Sequence, residues 1–207
     1  MIEKHHVVFD EITYNLNALT DLYLKMRHCA LEWNEWKTAI ASEKNLPHKR
    51  QKLVDGFDGR LLAVYAPAYE GKNMLDYPEV QEFIKQFNFL KPLGNADISF
   101  QINEPGFEFR KHVDRNLDYT IMCPLLPREN FNNLIFWEGT EQERNIETPK
   151  IYELEYSFKH PIVFNGKVLH SVDPINTERV LLRIKITHES YEDMITRYKA
   201  GTFLNAS

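Results

Sequence analysis

Hydrophobic and polar positions follow two different periods along the chain, and the change falls near Pro92. Before it, apolar residues recur at helical spacing, which predicts one or two helices within residues 15–40 and another at 78–89. After it, short runs alternate apolar and polar side chains, as strands do. A closing helix is predicted at 191–198, and the polar segment 44–58 is predicted to be a loop.

The alternating runs predict many short strands. They lie at residues 96–103, 107–114, 118–125, 133–137, 151–156, 161–164 and 179–187. Many short strands after a helical lead-in predict a mainly β protein with flanking α-helices. The expected fold is a double-stranded β-helix, a jelly-roll of the cupin type, with the N-terminal helices packed on one sheet. One domain is expected over residues 1–207, with a mostly helical part at 1–92, a β-helix core at 93–190 and a helical tail at 191–207.

The last predicted strand carries different chemistry on its two faces. One face is apolar and is expected to cover the helices; it consists of Val180, Leu182, Ile184 and Ile186. Because alternate residues of a strand point to opposite sides, Arg179 and Arg183 then face the interior. A buried cation without a partner is costly, so this arrangement predicts an anion inside the fold.

Candidate metal ligands stand out in the run His112-Val113-Asp114. Two residues that are two apart on a strand project to the same side, so the imidazole and the carboxylate can reach one ion. The best third ligand is His170, which follows an apolar run and the turn residues Asn165-Gly166. Two His and one carboxylate form the facial triad that is typical of non-haem Fe(II) oxygenases.

Two other histidines are alternatives for the third ligand. His160 precedes Pro161 and is expected to cap a turn, whereas His188 follows the last strand and is expected to be exposed. Beyond the triad, the guanidinium of Arg179 can hold a carboxylate through two parallel hydrogen bonds. Arg183 shares its face and is the rival for that role; the two lie about 13 Å apart along the strand.

These motifs resemble those of the Fe(II)/2-oxoglutarate-dependent oxygenase superfamily, and most of all its prolyl-hydroxylase and aspartyl-hydroxylase-like branch. The segment FEFRKHVDRN is similar to the first metal motif, and PIVFNGKVLHSVDPINTERVLLRIKI is similar to the second. The resemblance covers the C-terminal half of the chain. It implies that His112, Asp114 and His170 bind iron and that Arg179 binds 2-oxoglutarate. It also implies a cosubstrate contact from Tyr119.

The implied activity is a dioxygenase that uses Fe(II), 2-oxoglutarate and O₂ to hydroxylate an amino-acid side chain, peptidyl or free, or a small metabolite. Two alternatives stay open at this point. The same ligands could serve a cupin-type isomerase or hydrolase that does not use 2-oxoglutarate, and a jelly-roll can also be a binding module without turnover. The sequence leaves the substrate and the oligomeric state undetermined.

Composition narrows the partners. The 207 residues carry a formal net charge of −5, so a nucleic-acid partner is not expected. No apolar run approaches the ~20 residues of a membrane span. The two cysteines, Cys29 and Cys123, lie far apart and form no metal motif or disulfide framework. With no signal-peptide pattern at residue 1, a cytoplasmic protein acting on a small molecule or peptide is expected.

Overall fold

A computed structural model describes residues 5–43, 59–114 and 117–205. The loop predicted at 44–58 lies outside the described residues. The helices are α1 Leu16–Met26, α2 Trp33–Glu43, α3 Pro67–Glu70, α4 Pro78–Ile84 and α5 Tyr191–Lys199. The first six strands are β1 His6–Val8, β2 Ala30–Glu32, β3 Leu61–Val64, β4 Ile98–Asn103, β5 Phe109–His112 and β6 Tyr119–Leu126. The other five are β7 Leu134–Trp137, β8 Lys150–Leu154, β9 Ile162–Asn165, β10 His170–Val172 and β11 Arg179–Ile186.

The strands form two antiparallel sheets, and the predicted jelly-roll fold is confirmed. A seven-stranded sheet has the order β1-β9-β6-β11-β4-β3-β2, and a four-stranded sheet has the order β5-β10-β7-β8. Within the described residues the two sheets remain separate and do not close into one barrel. From β4 to β11 the chain crosses repeatedly between the sheets, and the metal-motif strands β5 and β10 lie in the small sheet, opposite β11 of the large one.

The outer face of the large sheet packs against α1, α4 and α5. The apolar side of β11 lies in this cluster with the inward sides of the three helices, as the alternation predicts. Local capping fixes where two of these helices begin: Asn15 accepts a hydrogen bond from the amide of Ala18, and Ser190 accepts one from the amide of Asp193. The helices therefore stiffen the wall whose other side faces the cavity.

Helix α2 packs on the opposite face of the same sheet. Its residues Trp33 and Trp36 belong to the cluster between the sheets, and the Trp36 indole donates to the carbonyl of Val64 on β3 at 3.1 Å. The two indole rings stack with their centroids 5.0 Å apart. The N-terminal helices thus pack on one sheet, but α2 covers a part of its inner face that the smaller sheet does not reach.

Three strands of the N-terminal region were not predicted from the pattern. β1, β2 and β3 lie at the two edges of the large sheet, where β1 pairs with β9 and β3 pairs with β4. Each has only three or four residues, too few to show a period of two. No helix among the described residues is long and apolar enough to cross a bilayer.

Phe100 tests the wall between the helices and the large sheet. Its side chain is fully buried, with its ring 5.7 Å from that of Tyr23 on α1. Replacing a buried Phe with Ala removes apolar contacts and leaves a cavity, so we expect Phe100→Ala to lower the free energy of unfolding by about 3–5 kcal/mol. Urea denaturation measures this difference.

The matched control is Leu24→Ala, on the solvent side of α1, where the side chain is 57% exposed. It should change the free energy of unfolding by less than about 0.5 kcal/mol. Equal losses for the two variants would contradict the packing described here.

Candidate metal centre and its cavity

Strand pairing brings the two candidate histidine ligands together. β5 and β10 run antiparallel in the small sheet, and His112 lies directly opposite His170 in their register. Side chains opposite each other on such a pair point to the same face. The two imidazole rings accordingly lie with their centroids 4.3 Å apart.

Asp114 reaches the same place from just beyond the end of β5. Its amide donates to the carbonyl of Gly166 at 2.7 Å, which ties this turn to the loop before β10. Position 166 favours glycine for a steric reason. A Cβ there would lie 3.0 Å from the Cβ of Asp114 and 3.3 Å from its Oδ2. A larger residue would press on the carboxylate.

Backbone carbonyls fix which ring nitrogens can bind a metal. The Nδ1–H of His112 donates to the carbonyl of Arg110 at 2.7 Å, and that of His170 donates to the carbonyl of Val168 at 2.8 Å. Because a carbonyl only accepts, Nδ1 must carry the proton in both rings. The lone pair of each Nε2 is left for a metal, as is usual for histidine ligands.

The donor set fits a divalent transition metal. One ligand atom from each of His112, Asp114 and His170 lies within 4.8 Å of the other two, and the Nε2 of His112 is 3.8 Å from the Oδ1 of Asp114. Within the described ranges this is the one group of three such side chains. The Oδ2 of Asp114 is buried without a hydrogen bond, which fits an oxygen that would bind a metal.

Electrostatics keep Asp114 and His170 in the forms that bind a cation. Burial alone would raise the pKa of Asp114, but Arg183 and the two imidazoles outweigh it and hold that pKa below its usual value. Burial, together with His112, lowers the pKa of His170 to about 4. At neutral pH the carboxylate is therefore charged and His170 is neutral, which are the forms that bind metals.

The three side chains line one end of a cavity that lies between the two sheets. Apolar and polar side chains both line its walls, and His112, with 30% of its side chain exposed, lies toward solvent. Arg179 lies deeper inside and is 1% exposed. The apolar lining residues are Phe109, Met122, Leu134, Phe164, Val172 and Leu181.

Arg179 has spare hydrogen-bonding capacity. Its guanidinium donates to the Oδ1 of Asn103 at 3.1 Å and to the hydroxyl of Tyr156 at 3.0 Å, and it stacks over the ring of Phe131. The Arg179 Nε and the Asn103 Nδ2 are both buried and have no acceptor in the part of the chain that the structure describes. Two adjacent orphan donors and a buried positive charge fit the carboxylate of a small molecule.

Arg183 has different surroundings. It donates to the Oε1 of Gln101 at 2.8 Å, and its Nη2 lies 3.7 Å from the Oδ2 of Asp114. The two arginines line the same cavity, as the alternation predicts, but Arg183 faces the metal ligands while Arg179 faces the polar recess of Asn103 and Tyr156. The structure therefore separates the two candidates for the carboxylate clamp by position.

Tyr119 is not brought to this cavity. Its ring is buried in the cluster on the outer side of the large sheet, and its hydroxyl donates to Glu189 at 2.8 Å. The tyrosine that reaches Arg179 is Tyr156, which follows β8 and which the sequence motifs did not indicate. Asn103, at the end of β4, was also missed, although its alternation with Gln101 on the inner face was a usable signal.

The remaining sequence candidates lie elsewhere. The Nδ1–H of His160 donates to the carbonyl of Ile12 at 2.9 Å, and neither His160 nor His188 joins the ligand cluster. Trp137 donates to Ser171 at 2.8 Å, with Lys111 above its ring. Residues 115 and 116, which follow Asp114 directly in the sequence, fall outside the described residues.

Fold and site together define a double-stranded β-helix with a His/Asp/His ligand cluster in its cavity. No family model and no curated protein sequence matches the chain. A 2OG-Fe(II) oxygenase family oxidoreductase from Burkholderia pseudomallei is 12% identical over 84% of this chain and 91% of its own, with a TM-score of 0.38. A prolyl-4-hydroxylase from Pseudomonas putida is 13% identical over 84% of this chain and 100% of its own, with a TM-score of 0.36.

A third solved structure, of prolyl 4-hydroxylases from Phytophthora capsici, is 14% identical over 91% of this chain and 71% of its own, with a TM-score of 0.37. Similarities this distant say nothing about the reaction of this chain. What the cavity does has to be inferred from its own side chains.

The histidines provide a direct test of the ligand set. We expect His170→Ala to lower the affinity for Fe(II) by at least about 100-fold, because one of three protein ligands is lost. His160→Ala, which removes a rival histidine outside the cluster, should leave that affinity unchanged. Anaerobic equilibrium dialysis against Fe(II), followed by metal analysis, compares both variants with the parent protein. Comparable losses from the two substitutions would rule out this assignment.

Proposed function

We propose that this chain is an Fe(II)- and 2-oxoglutarate-dependent dioxygenase that hydroxylates an amino-acid side chain or a small metabolite. The observation that carries the proposal is the presence in one cavity of two distinct sites. One is a facial set of two imidazoles and a carboxylate, and the other is a buried guanidinium with adjacent orphan donors. A metal alone explains the first site, and a carboxylate-bearing cosubstrate explains the second.

Fe(II), with 2-oxoglutarate and O₂, would supply the oxidising chemistry, in which the cosubstrate loses CO₂ to give succinate and an oxygen atom enters a substrate C–H bond. His112, Asp114 and His170 would hold the metal from one side, which leaves the other side open to ligands. The backbone carbonyls of Arg110 and Val168 keep both imidazoles oriented toward it.

Arg179 would bind the far carboxylate of the cosubstrate. Its Nε and the Asn103 Nδ2 gain acceptors when that carboxylate is present, and Tyr156 holds the guanidinium from the other side. The apolar walls exclude water from the space between this clamp and the metal ligands, which strengthens each charge interaction within it. The chain thus positions and shields the reactants, and the cosubstrate can lie with one carboxylate at each end.

The clamp separates this proposal from a cupin-type isomerase or hydrolase that uses the same ligands. We expect Arg179→Met to weaken 2-oxoglutarate binding by about 100-fold, the loss of roughly 3 kcal/mol from two charge-assisted hydrogen bonds. The visible charge-transfer band of an anaerobic Fe(II) and 2-oxoglutarate titration measures this binding, and succinate release under O₂ measures turnover.

Tyr119→Phe is the matched control, because the sequence motifs implied a cosubstrate contact that the fold directs to Glu189 instead. It should cost about 1 kcal/mol of stability through the lost hydrogen bond and leave 2-oxoglutarate affinity unchanged. A parent protein that shows neither the band nor succinate would refute the oxygenase. Unchanged 2-oxoglutarate binding in Arg179→Met would place the clamp elsewhere.

A further inference from the structure

A third cation, Lys185, faces the interior from β11, two residues beyond Arg183. Its ammonium lies 4.2 Å from the ring centroid of Trp33 and 4.6 Å from that of Trp36, so both indoles of α2 cover it. Over the residues that the structure describes, this ammonium makes no hydrogen bond and no ion pair. Aromatic faces compensate a buried positive charge only in part, so an anion would stabilise this ammonium further.

The neighbourhood of Lys185 is positive. The guanidinium of Arg183 lies 5.9 Å from the Trp33 ring, and Lys37 lies 5.1 Å from the same ring. Burial, followed by Arg183 and Lys37, lowers the pKa of Lys185 well below its usual value. These like charges oppose one another in a setting where water screens them poorly, and an added anion would relieve that repulsion.

Nearby acidic groups are already engaged. Asp114, the one carboxylate among the described residues that line the cavity, faces Arg183 and belongs to the candidate metal ligands. The carboxylate of Asp97 accepts the amide of Gly94 at 2.6 Å. With a divalent metal, a dianionic 2-oxoglutarate, Asp114 and the two arginines in place, the cavity keeps a positive charge, and Lys185 adds to it.

The strands beside Lys185 add polar groups and no negative charge. Thr120 on β6 lies opposite Lys185, and Ser99 on β4 lies opposite Arg183. Both side chains face inward, and among the described residues both hydroxyl oxygens are buried without a hydrogen-bond partner. Unpartnered buried hydroxyls are uncommon in folded proteins, so these two give the region between Lys185 and α2 polar groups that an anion could use.

A 2-oxoglutarate molecule bound at Arg179 cannot also reach Lys185. Lys185 and Arg179 lie six residues apart on one strand, which separates them by roughly 20 Å, with Arg183 between them. 2-Oxoglutarate is a five-carbon dicarboxylate and is far shorter than this. If one of its carboxylates lies at Arg179 and the other at the metal, the Lys185 end of β11 lies beyond Arg183 and is left to a second molecule.

We propose that the substrate carries a carboxylate, and that Lys185 binds this carboxylate beneath Trp33 and Trp36. The substrate class is then a free amino acid or another small organic acid. This inference rests on the proposed oxygenase function, because it takes the metal site as the reaction centre. Arg183, between the metal ligands and Lys185, would face the middle of such a substrate.

The two indoles provide a reporter, since Trp33 and Trp36 are two of the three tryptophans in the chain. The protein is loaded with Mn(II) and saturating 2-oxoglutarate without O₂, so that no turnover occurs. Tryptophan emission is then titrated with free amino acids, short organic acids, the C-terminal amides of the amino acids, and glycerol phosphate. We expect at least one carboxylate to change the emission saturably and its amide to bind at least about 10-fold more weakly.

Lys185→Met should abolish the preference for acid over amide, and Lys91→Met, at an exposed position, should keep it. Lys185→Arg retains the charge and should also keep it, which covers the case in which the Met variant does not fold. An unchanged preference in Lys185→Met, equal binding of acid and amide, or a response to glycerol phosphate alone would overturn the proposal.

Measuring 2-oxoglutarate binding in the same samples distinguishes a failure of the Lys185 assignment from a failure of the oxygenase proposal. If the parent protein binds 2-oxoglutarate but no carboxylate in the panel changes its emission, the assignment of Lys185 fails and the oxygenase stands. If 2-oxoglutarate itself does not bind, both fail together.

Discussion

The chemistry of the cavity depends on a positive charge that is buried between the two sheets. Arg179 is enclosed between two sheets, in contact with an amide, a hydroxyl and an aromatic ring, and none of the described carboxylates is hydrogen-bonded to it. A guanidinium does not give up its proton, so the fold cannot escape this cost by neutralisation. The cavity is therefore complementary to an anion that the chain does not itself provide. That complementarity explains why a stable core contains polar groups with unused donors.

The sheets supply the rigidity that such a site requires. His112 and His170 are opposite residues on paired strands, so their separation is set by the ladder and not by loop conformation. Only Asp114 lies beyond a strand end, and a backbone hydrogen bond to Gly166 holds it there. Helices on the outer face reinforce the wall that carries Arg179 and Arg183. A metal centre on strands opposite a cationic wall keeps its geometry while one side of the cavity remains open.

Much of the fold and of the candidate site could be predicted from the sequence, and the features that could not be predicted have physical reasons. The alternation in β11 predicts which side carries the arginines, and the spacing of His112 and Asp114 predicts a shared ligand site. The same parity places Tyr119 with Ile121 and Cys123 on the outer face, away from the cavity, where burial raises its pKa and Glu189 accepts a hydrogen bond from its hydroxyl. Tyr156 follows the end of its strand, where no period exists to show its direction. An amphipathic helix can cover either face of a sheet, so the position of α2 inside the sandwich was not readable.

The inward side chains of β11 carry the binding groups in sequence along one wall. Along β11 the inward side chains run from Arg179 through Leu181 and Arg183 to Lys185, and the candidate metal ligands on the opposite sheet face the middle of this row. A cosubstrate that spans from Arg179 to the metal would leave the Lys185 end to a second molecule. The two reactants would then meet the metal from opposite directions along the same strand. Since the four positions share one backbone, a shift in β11 would displace both binding groups together and keep their spacing, which is the quantity that a two-substrate reaction needs to preserve.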